Sequence, residues 1–236
     1  MKPSAIELLD GTSVPILYED RSVLAIDKPA GWMLAPATWD KTSRNLQREL
    51  MISIQAGEHW ARSRNLKYIR FIHRLDAETS GVLLLAKSAG AVRALSELFE
   101  SRLMRKKYLA VVHGIPAQPS WVCQLRISQE PGVRGQMTVD ARLGKDAETA
   151  FRVLLQGQDT TLIEATPLTG RTHQIRVHLA AEGHPVLGDT LYGGTGRELA
   201  LRAVELSYTD PFQKRPVRIL APTQGFLRRH HFAATR

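Results

Sequence analysis

Three features of the sequence predict an α+β fold with a large mixed, mostly antiparallel sheet flanked by helices. Short apolar runs typical of strands recur along the chain and are separated by turns that contain glycine. Two other segments repeat their apolar residues at helical spacing. No linker of biased composition interrupts the 236 residues, so we expect residues 1–236 to form a single domain.

The N-terminal third contains two runs that predict buried strands. VLAIDKPAG, residues 23–31, has the pattern of a strand that ends in a Lys-Pro-Ala-Gly turn, because proline and glycine terminate apolar runs. SGVLLLAK, residues 80–87, is a continuous apolar run, which is typical of a strand covered on both faces. The segment from about residue 38 to residue 70 is rich in Arg, Lys, Ser and Asn, and we expect it to be partly helical at best.

A helix is predicted after Ser88, which is a suitable N-cap for AGAVRALSELFESRLM. One face of this helix carries an apolar stripe that predicts core packing, formed by Val92, Leu95, Leu98, Phe99 and Leu103. The cations of RKK, residues 105–107, would end the helix, where positive charge suits the helix dipole. YLAVVHG, residues 108–114, then predicts a return as a strand.

The C-terminal half alternates strand and turn signals around one further helix. WVCQLRI, TAFRVLL and TTLIEATPL predict short strands, and QGQD predicts a hairpin between the last two. TGRTHQIRVHLAAEGHPVLGD fits a helix with Thr172 near its N-cap, Ile175 and Leu179 facing inward, and Gly183 as its end. ALRAVELSY and RPVRILAP predict the last two strands.

The charge balance favours a polyanionic partner. The chain has 32 Lys and Arg against 23 Asp and Glu, a net charge of +9, and each contact of a cation with a phosphate releases condensed counterions. Cys123 is the only cysteine, which excludes an intramolecular disulfide and a zinc site made of several thiolates. The N-terminus lacks the apolar run of a signal peptide, and no stretch approaches the roughly 18 apolar residues of a membrane span. We therefore expect a cytoplasmic protein that does not associate with membranes.

The stretch FIHRLDAETSG, residues 71–81, places three polar residues directly before a predicted buried strand: His73, Arg74 and Asp76. Loops carried on a rigid scaffold are a common place for chemistry. A neighbouring cation keeps an aspartate ionised, and such a carboxylate can attack an electrophilic carbon. GRTHQIR supplies two more cations, Arg171 and Arg176. The same residues would also suit a solvated turn with a structural ion pair.

Two other kinds of site do not fit the motifs. His173 and His178 are separated by five positions, which lie about 140° apart on a helix, whereas a zinc pair uses positions i and i+4. His184 adds no cysteine or carboxylate partner to complete a metal site. HRLD matches part of the kinase catalytic loop, but no glycine-rich phosphate loop, D-F-G or Walker motif accompanies it, which excludes nucleoside triphosphate chemistry.

Four motifs in order resemble those of the RluA-type RNA pseudouridine synthases of the RsuA/RluA superfamily. They are YEDRSVLAIDKPAG (18–31), HRLDAETSG (73–81), KKYLAVVHG (106–114) and TGRTHQIRVHLAAEGHPVLGDTLYGG (169–194). The resemblance covers most of the chain. The sequence departs from the family pattern at Leu34-Ala35-Pro36 and at Leu201-Arg202-Ala203, neither of which belongs to the catalytic set.

The resemblance implies the pseudouridine synthase fold and an enzyme that flips a specific uridine out of rRNA or tRNA and isomerises it to pseudouridine. Asp76 would be the catalytic carboxylate, Tyr108 would lie against the flipped uracil, and Arg176 would pair with Asp76. Four further residues are expected to contact RNA: Arg74, His73, Lys106 and Arg171. Uracil contains every atom of the product, so no cofactor or metal is implied. We expect a stand-alone catalytic domain without a separate N-terminal S4-like RNA-binding domain, acting as a monomer.

Two alternatives belong to other functional classes. An RNA-binding module that has lost catalysis would have no need of the carboxylate of Asp76. A hydrolase acting on nucleosides or RNA bases would need a second carboxylate near Asp76 to activate water, and the local candidate is Glu78. Analysis of the product separates the three functions, since they give an isomer of equal mass, no change, and a free base.

Overall fold

A computed structural model describes residues 1–34, 44–133 and 135–232, and the chain divides into two compact units. Unit 1 comprises Met1–Met104 and Leu206–Ala221, and unit 2 comprises Arg105–Glu205 and Pro222–Arg236. Ala35 and Pro36, where the sequence departs from the family pattern, lie outside the described residues. The prediction of a single catalytic domain stays a prediction.

Strands outnumber helices along the described chain. The strands are β1 (Ala5–Glu7), β2 (Ser13–Glu19), β3 (Val23–Lys28), β4 (Arg70–Phe71), β5 (Ser80–Ala86), β6 (Arg105–His113), β7 (Ser120–Cys123), β8 (Ile127–Gln129), β9 (Met137–Val139), β10 (Thr149–Gln156), β11 (Thr160–Pro167), β12 (Leu201–Thr209) and β13 (Pro216–Leu220). The helices are α1 (Leu46–Gln55), α2 (His59–Arg62), α3 (Ala89–Glu100), α4 (Gln174–Ala181) and α5 (Gln224–Arg229). Residues of β12 belong to both units.

The sheet of unit 1 is built on the two predicted buried strands. β1, β2, β3 and β5 are neighbours in that order, β4 also pairs with β5, and these pairings are all antiparallel. β3 and β5 are almost entirely buried, which explains why their sequences are continuous apolar runs. α3 packs against this sheet through the buried side chain of Leu95. The predictions of two buried strands and a following helix are confirmed.

The predicted end of α3 is wrong. Ser88 caps the helix as expected, its hydroxyl accepting a hydrogen bond from the Ala91 N–H at 3.1 Å. The helix then ends at Glu100, and Arg102 adopts a left-handed conformation with φ of 58° that turns the chain away. Leu103 is consequently 61% exposed instead of joining the apolar stripe. The cations of residues 105–107 belong to the start of β6, not to a helix terminus.

Unit 2 contains the second group of antiparallel strands. β6, β11, β10 and β7 are neighbours in that order, and β8 pairs with β9 in a separate two-stranded sheet. The predicted hairpin between β10 and β11 is confirmed, and it is closed by a hydrogen bond from the Gly157 N–H to the carbonyl of Thr160 at 2.8 Å. α4 buries Ile175 and Leu179 as expected. Its last residue is Ala181, and Gly183, the predicted end, follows the C-cap residue Glu182 with φ of 82°.

The predicted α+β class with mostly antiparallel strands and flanking helices is confirmed. α1 and α2 account for the expected partial helicity of residues 38–70, of which 38–43 lie outside the described ranges. The N-cap position of α4 is His173, one residue later than predicted, with φ of 54°. Within residues 1–34, 44–133 and 135–232, no helix has the length and apolar character needed to cross a membrane.

Candidate active site

The Asp76 loop, residues 72–79, connects β4 to β5 in unit 1. Asp76 is half-buried, and its carbonyl accepts a hydrogen bond from the Thr79 N–H at 3.2 Å. The Gly31 N–H donates to the carbonyl of Ala77 at 2.8 Å, which ties the Lys-Pro-Ala-Gly turn to this loop. Gly31 has φ of 82°, a conformation that glycine adopts without strain. The loop therefore has a defined backbone position next to a rigid strand.

Lys28 is the main support of the Asp76 loop, a role that the Lys-Pro-Ala-Gly pattern alone does not indicate. Its side chain is completely buried, and its ammonium donates to the carbonyls of Pro29, Ala77 and Thr79 at 3.0, 2.8 and 2.9 Å. These three acceptors match the three donors of an ammonium group. Burial lowers the pKa of Lys28 to about 8, opposed by the negative charges of Glu78 and Asp76. Lys28 thus brings a positive charge to the loop while fixing its backbone.

His73 and Arg74 begin the same loop but differ in environment. His73 Nε2 accepts a hydrogen bond from the Leu84 N–H at 3.0 Å, so the ring proton of neutral His73 is on Nδ1. Its ring also stacks on Phe99, with 5.1 Å between the ring centroids. Arg74 is exposed. The contacts of His73 give it a packing role in unit 1, and the RNA-binding roles of both residues stay predictions.

Tyr108 and Lys106 lie two positions apart on β6 in unit 2, so their side chains leave the same face of the strand. Tyr108 is buried and opposite Ala165 of β11. The half-buried ammonium of Lys106 donates to the carbonyl of Thr169 at 3.1 Å, and burial lowers the pKa of Lys106 to about 8. Lys106 therefore contacts the loop that leads into α4.

The loop before α4, residues 168–173, is fixed by the buried amide of Gln174. The carbonyl oxygen of this amide accepts from the Thr169 hydroxyl at 2.6 Å and from the Arg171 N–H at 2.9 Å. Its NH2 group donates to the carbonyl of Glu148 and the hydroxyl of Thr149, both at 2.9 Å. The side chain of Arg171 remains exposed and donates to the carbonyl of Asp146 at 2.9 Å. The amide thus orders the start of the helix that carries Arg176.

Arg176 is 3% exposed and forms a bidentate ion pair with Asp189, which was not among the predicted site residues. Its Nε lies 2.6 Å from Asp189 Oδ2 and its Nη2 lies 2.7 Å from Oδ1. The Tyr192 ring lies 5.2 Å from the guanidinium carbon, which adds a cation–π contact. A buried arginine needs a negative partner, and Asp189 is an acid of the same motif that follows α4 in the sequence. This need could have identified Asp189 from the sequence.

Tyr192 links Arg176 to the small β8–β9 sheet. Its hydroxyl accepts a hydrogen bond from the Met137 N–H at 2.9 Å and lies 2.8 Å from Nδ1 of His173. The two rings are arranged edge to face, with 5.7 Å between their centroids. These contacts make the left-handed His173, Tyr192 and β9 one connected group around the buried guanidinium.

His178 and His184, whose spacing does not suit a metal site, have hydrogen-bonding roles. His178 is completely buried, its Nε2 donates to the carbonyl of Leu125 at 2.9 Å, and its Nδ1 lies 3.0 Å from the Thr149 hydroxyl. Burial lowers the pKa of His178, which favours the neutral ring. His184 Nδ1 donates to the carbonyl of His113 at 3.1 Å. In the described part of the chain, no three His, Cys, Asp or Glu side chains are grouped as metal ligands.

The structure thus groups the predicted residues by unit. Unit 1 brings together His73, Arg74 and Asp76 on the loop supported by Lys28. Unit 2 contains the other four predicted residues, which are Lys106, Tyr108, Arg171 and Arg176. Within unit 2, Lys106, Arg171 and Arg176 are linked through the residues around the start of α4. Asp76 belongs to unit 1 and Arg176 to unit 2, and their predicted pairing stays a prediction.

Comparisons with known proteins agree with these motifs. The family described as RNA pseudouridylate synthase matches residues 22–181. A ribosomal large subunit pseudouridine synthase C from Buchnera aphidicola subsp. Schizaphis graminum is 33% identical over 233 residues, which cover 91% of this chain and 69% of the relative. The protein of the same name from Escherichia coli strain K12 is 34% identical over 232 residues, covering 91% and 68%.

Solved structures show the same relationship. The structure titled human RNA pseudouridylate synthase domain containing 1 is 26% identical, with a TM-score of 0.71 over 94% of this chain and 86% of the other. Human RNA pseudouridylate synthase domain containing 4, at 24% identity and a TM-score of 0.73, has the same fold over 92% of both chains. The family match and the bacterial relatives favour the enzyme over the catalytically silent module. The chain belongs to the RNA pseudouridylate synthase family and is an enzyme that isomerises uridine in RNA to pseudouridine.

Proposed function

We propose that Asp76 is the catalytic carboxylate and that the substrate is a uridine of large-subunit ribosomal RNA. The observation that carries the assignment of Asp76 is its place on a loop whose backbone is tied to Lys28 and Gly31 directly before a buried strand. A carboxylate on such a support is preorganised, so little reorganisation is needed during the reaction. The ribosomal substrate is supported by the names of the bacterial relatives.

The reaction breaks the N1–C1′ glycosidic bond, rotates the uracil and forms a C5–C1′ bond. The target nucleotide leaves the stack because its reacting atoms are not accessible there. Attack of Asp76 on the base, attack on the sugar and deprotonation at the ribose all require an ionised carboxylate. We assign the maintenance of that charge to Arg176, as the family resemblance implies.

Tyr108 is proposed to lie against the flipped uracil, with its hydroxyl assisting the final loss of the C5 proton. Arg74 is proposed to enter the vacated base position or to contact phosphate, and Lys106, Arg171 and His73 to contact RNA. The proposal requires no redox cofactor or group donor, since uracil and pseudouridine have the same atoms. We also propose that the protein is cytoplasmic, consists of a single catalytic domain and acts as a monomer. Light scattering of the purified protein tests the oligomeric state.

The experiment compares Asp76→Asn and Tyr108→Phe with the wild type in single-turnover formation of pseudouridine. Asp76→Asn is nearly isosteric, so we expect a folded protein whose rate falls by at least about 10²-fold, a typical loss for a catalytic acid or base. Tyr108→Phe keeps the aromatic ring, so RNA binding and the early steps are expected to survive while product formation slows. Thermal unfolding is the control for folding.

Two outcomes contradict the proposal at different points. A folded Asp76→Asn protein that forms pseudouridine at the wild-type rate would overturn the role of Asp76. For the substrate, pseudouridines are mapped in ribosomal and transfer RNA from a strain that lacks the gene. If the missing pseudouridine is in transfer RNA, the ribosomal assignment is wrong while the enzyme class stands.

A further inference from the structure

Unit 1 carries an open cavity of about 500 Å³ on the side of its sheet where the β2–β3 turn meets the loop after α2. The walls include two carboxylates, Glu19 and Asp20, and a larger number of cations. These cations are Lys2, Arg21, Arg64, Lys67 and Lys87. The lining is therefore positive overall, and the cavity is open to solvent-borne anions.

The two carboxylates are fully used by internal partners. Glu19 accepts from Lys87 at 2.7 Å, from Arg64 at 2.8 Å and from Lys2 at 3.4 Å. The carboxylate of Asp20 accepts from the N–H groups of Ser22 and Val23, at 2.7 and 2.9 Å, and from the Tyr18 hydroxyl at 3.1 Å. Neither carboxylate therefore needs a further cation as a partner.

Arg21 and Lys67 are the cations of this cavity that remain available for a ligand. Both side chains are exposed. Among the residues that the structure describes, neither one forms an ion pair with a carboxylate. Arginine and lysine both bind phosphate oxygens, and this cavity exposes one of each.

The backbone that presents Lys67 is fixed by the buried side chain of Arg64, which is 3% exposed. Arg64 donates to the carbonyls of Trp60 and Pro3, at 2.9 and 2.7 Å, in addition to Glu19. Leu66 is buried, and its N–H donates to the carbonyl of Ala61 at 3.0 Å. A cation on such a loop loses little backbone freedom when a ligand binds.

The turn that presents Arg21 is fixed in a similar way. Asp20 accepts from two backbone N–H groups through one carboxylate oxygen, and the Asp20 N–H donates to the carbonyl of Val23 at 3.1 Å. Arg21 is therefore on a closed turn between two strands of the sheet. Both available cations of the cavity have defined backbone positions.

We propose that this cavity, the Arg21–Lys67 cleft, binds a backbone phosphate of the RNA substrate outside the residues assigned to the reaction. The proposal rests on the proposed function, because it takes RNA from the ribosome as the ligand. Contacts with phosphate position a nucleic acid on a protein without reading its sequence. The cleft thus supplies affinity and orientation for the RNA, and the chemistry does not depend on it.

The test measures the dissociation constant and the single-turnover rate with protein-free large-subunit ribosomal RNA transcribed in vitro. The double variant Arg21→Glu/Lys67→Glu is compared with Arg93→Glu/Arg102→Glu, which changes the net charge equally at two exposed residues of the same unit. We expect the cleft variant to weaken binding by about tenfold or more and to lower the slope of log K against log salt by about 1, because one phosphate would no longer be neutralised. The control variant is expected to keep the wild-type slope.

The rate at saturating enzyme separates this proposal from the proposed function. We expect the cleft variant to form pseudouridine at the wild-type rate once its RNA is fully bound. If the wild type binds the transcript without forming pseudouridine, the substrate assignment fails, and the binding comparison still tests the cleft. If the Glu variant does not fold, Arg21→Gln/Lys67→Gln removes the same contacts without reversing charge.

Two results would overturn the proposal. Equal weakening of binding by the cleft and control variants would assign the effect to net charge alone. Thermal stabilisation of the wild type by inorganic phosphate, absent in the cleft variant and accompanied by unchanged RNA affinity, would assign the cleft to a small free anion. If the cleft variant alone shows both a lower affinity for RNA and a smaller slope of log K against log salt, the result would support binding of an RNA phosphate in the cleft.

Discussion

Asp189 binds the buried guanidinium of Arg176 through both carboxylate oxygens, at 2.6 and 2.7 Å. Removing one member of a buried pair leaves the charge of the other without full compensation. We therefore expect Asp189→Asn to lower the free energy of unfolding by about 3 kcal/mol or more. Urea denaturation of the wild type and the variant measures this loss.

A matched control is available in the same unit. Glu198 accepts from Arg229 at an equally short distance of 2.6 Å, but the two side chains are 60% and 64% exposed. Water and salt screen such a pair, so Glu198→Gln is expected to cost less than about 1 kcal/mol. Equal losses in the two variants would show that burial does not determine the importance of the Arg176–Asp189 pair.

At the scale of elements, the buried ammonium of Lys28 connects the end of β3 to the Asp76 loop. Lys28→Met would retain most of the apolar volume and remove the donors to three carbonyls. We expect the free energy of unfolding to fall by about 2–4 kcal/mol, because buried carbonyls would lose their partners. The single-turnover rate is expected to fall more than RNA affinity, since the loop that carries Asp76 would lose its fixed position.

Lys107→Met serves as the control for this prediction. Lys107 pairs with an acid, Glu164, at 3.3 Å, and its side chain is 39% exposed. Little change in stability or rate is expected from this substitution. If Lys28→Met weakens RNA binding and leaves the rate of bound RNA unchanged, the assigned role of Lys28 is wrong.

The elements themselves could be predicted where the signal is local. The apolar runs of β3 and β5 and the stripe of α3 from Val92 to Phe99 depend on residues close in sequence, and the structure confirms them. Residues 105–107 were assigned to the end of a helix because nothing nearby in sequence marks them as the start of β6, whose residues 108–113 pair with β11 more than 40 positions later. In the same way, the Asp76 motif could be located from sequence. The acceptors of Lys28 could not, because the carbonyls of Ala77 and Thr79 lie 49 and 51 positions later in the chain.

At the scale of the whole molecule, the net charge of +9 predicts that phosphate contacts dominate RNA affinity. The dissociation constant should therefore rise steeply with salt concentration. Asp76→Asn removes one carboxylate at the proposed reaction centre, so we expect it to keep the wild-type slope of log K against log salt. Filter binding across a series of salt concentrations measures both slopes, and affinity that barely changes with salt would contradict the prediction.

The support of the Asp76 loop by Lys28 and Gly31 uses main-chain carbonyls alone. Every amino acid presents the same carbonyl, so this form of attachment does not depend on which side chains follow Asp76. Positions 77 and 78, occupied by Ala77 and Glu78, can therefore vary during evolution while the carboxylate keeps its place. Substitutions at these positions would change the chemistry of the loop surface and leave the attachment of the aspartate in place.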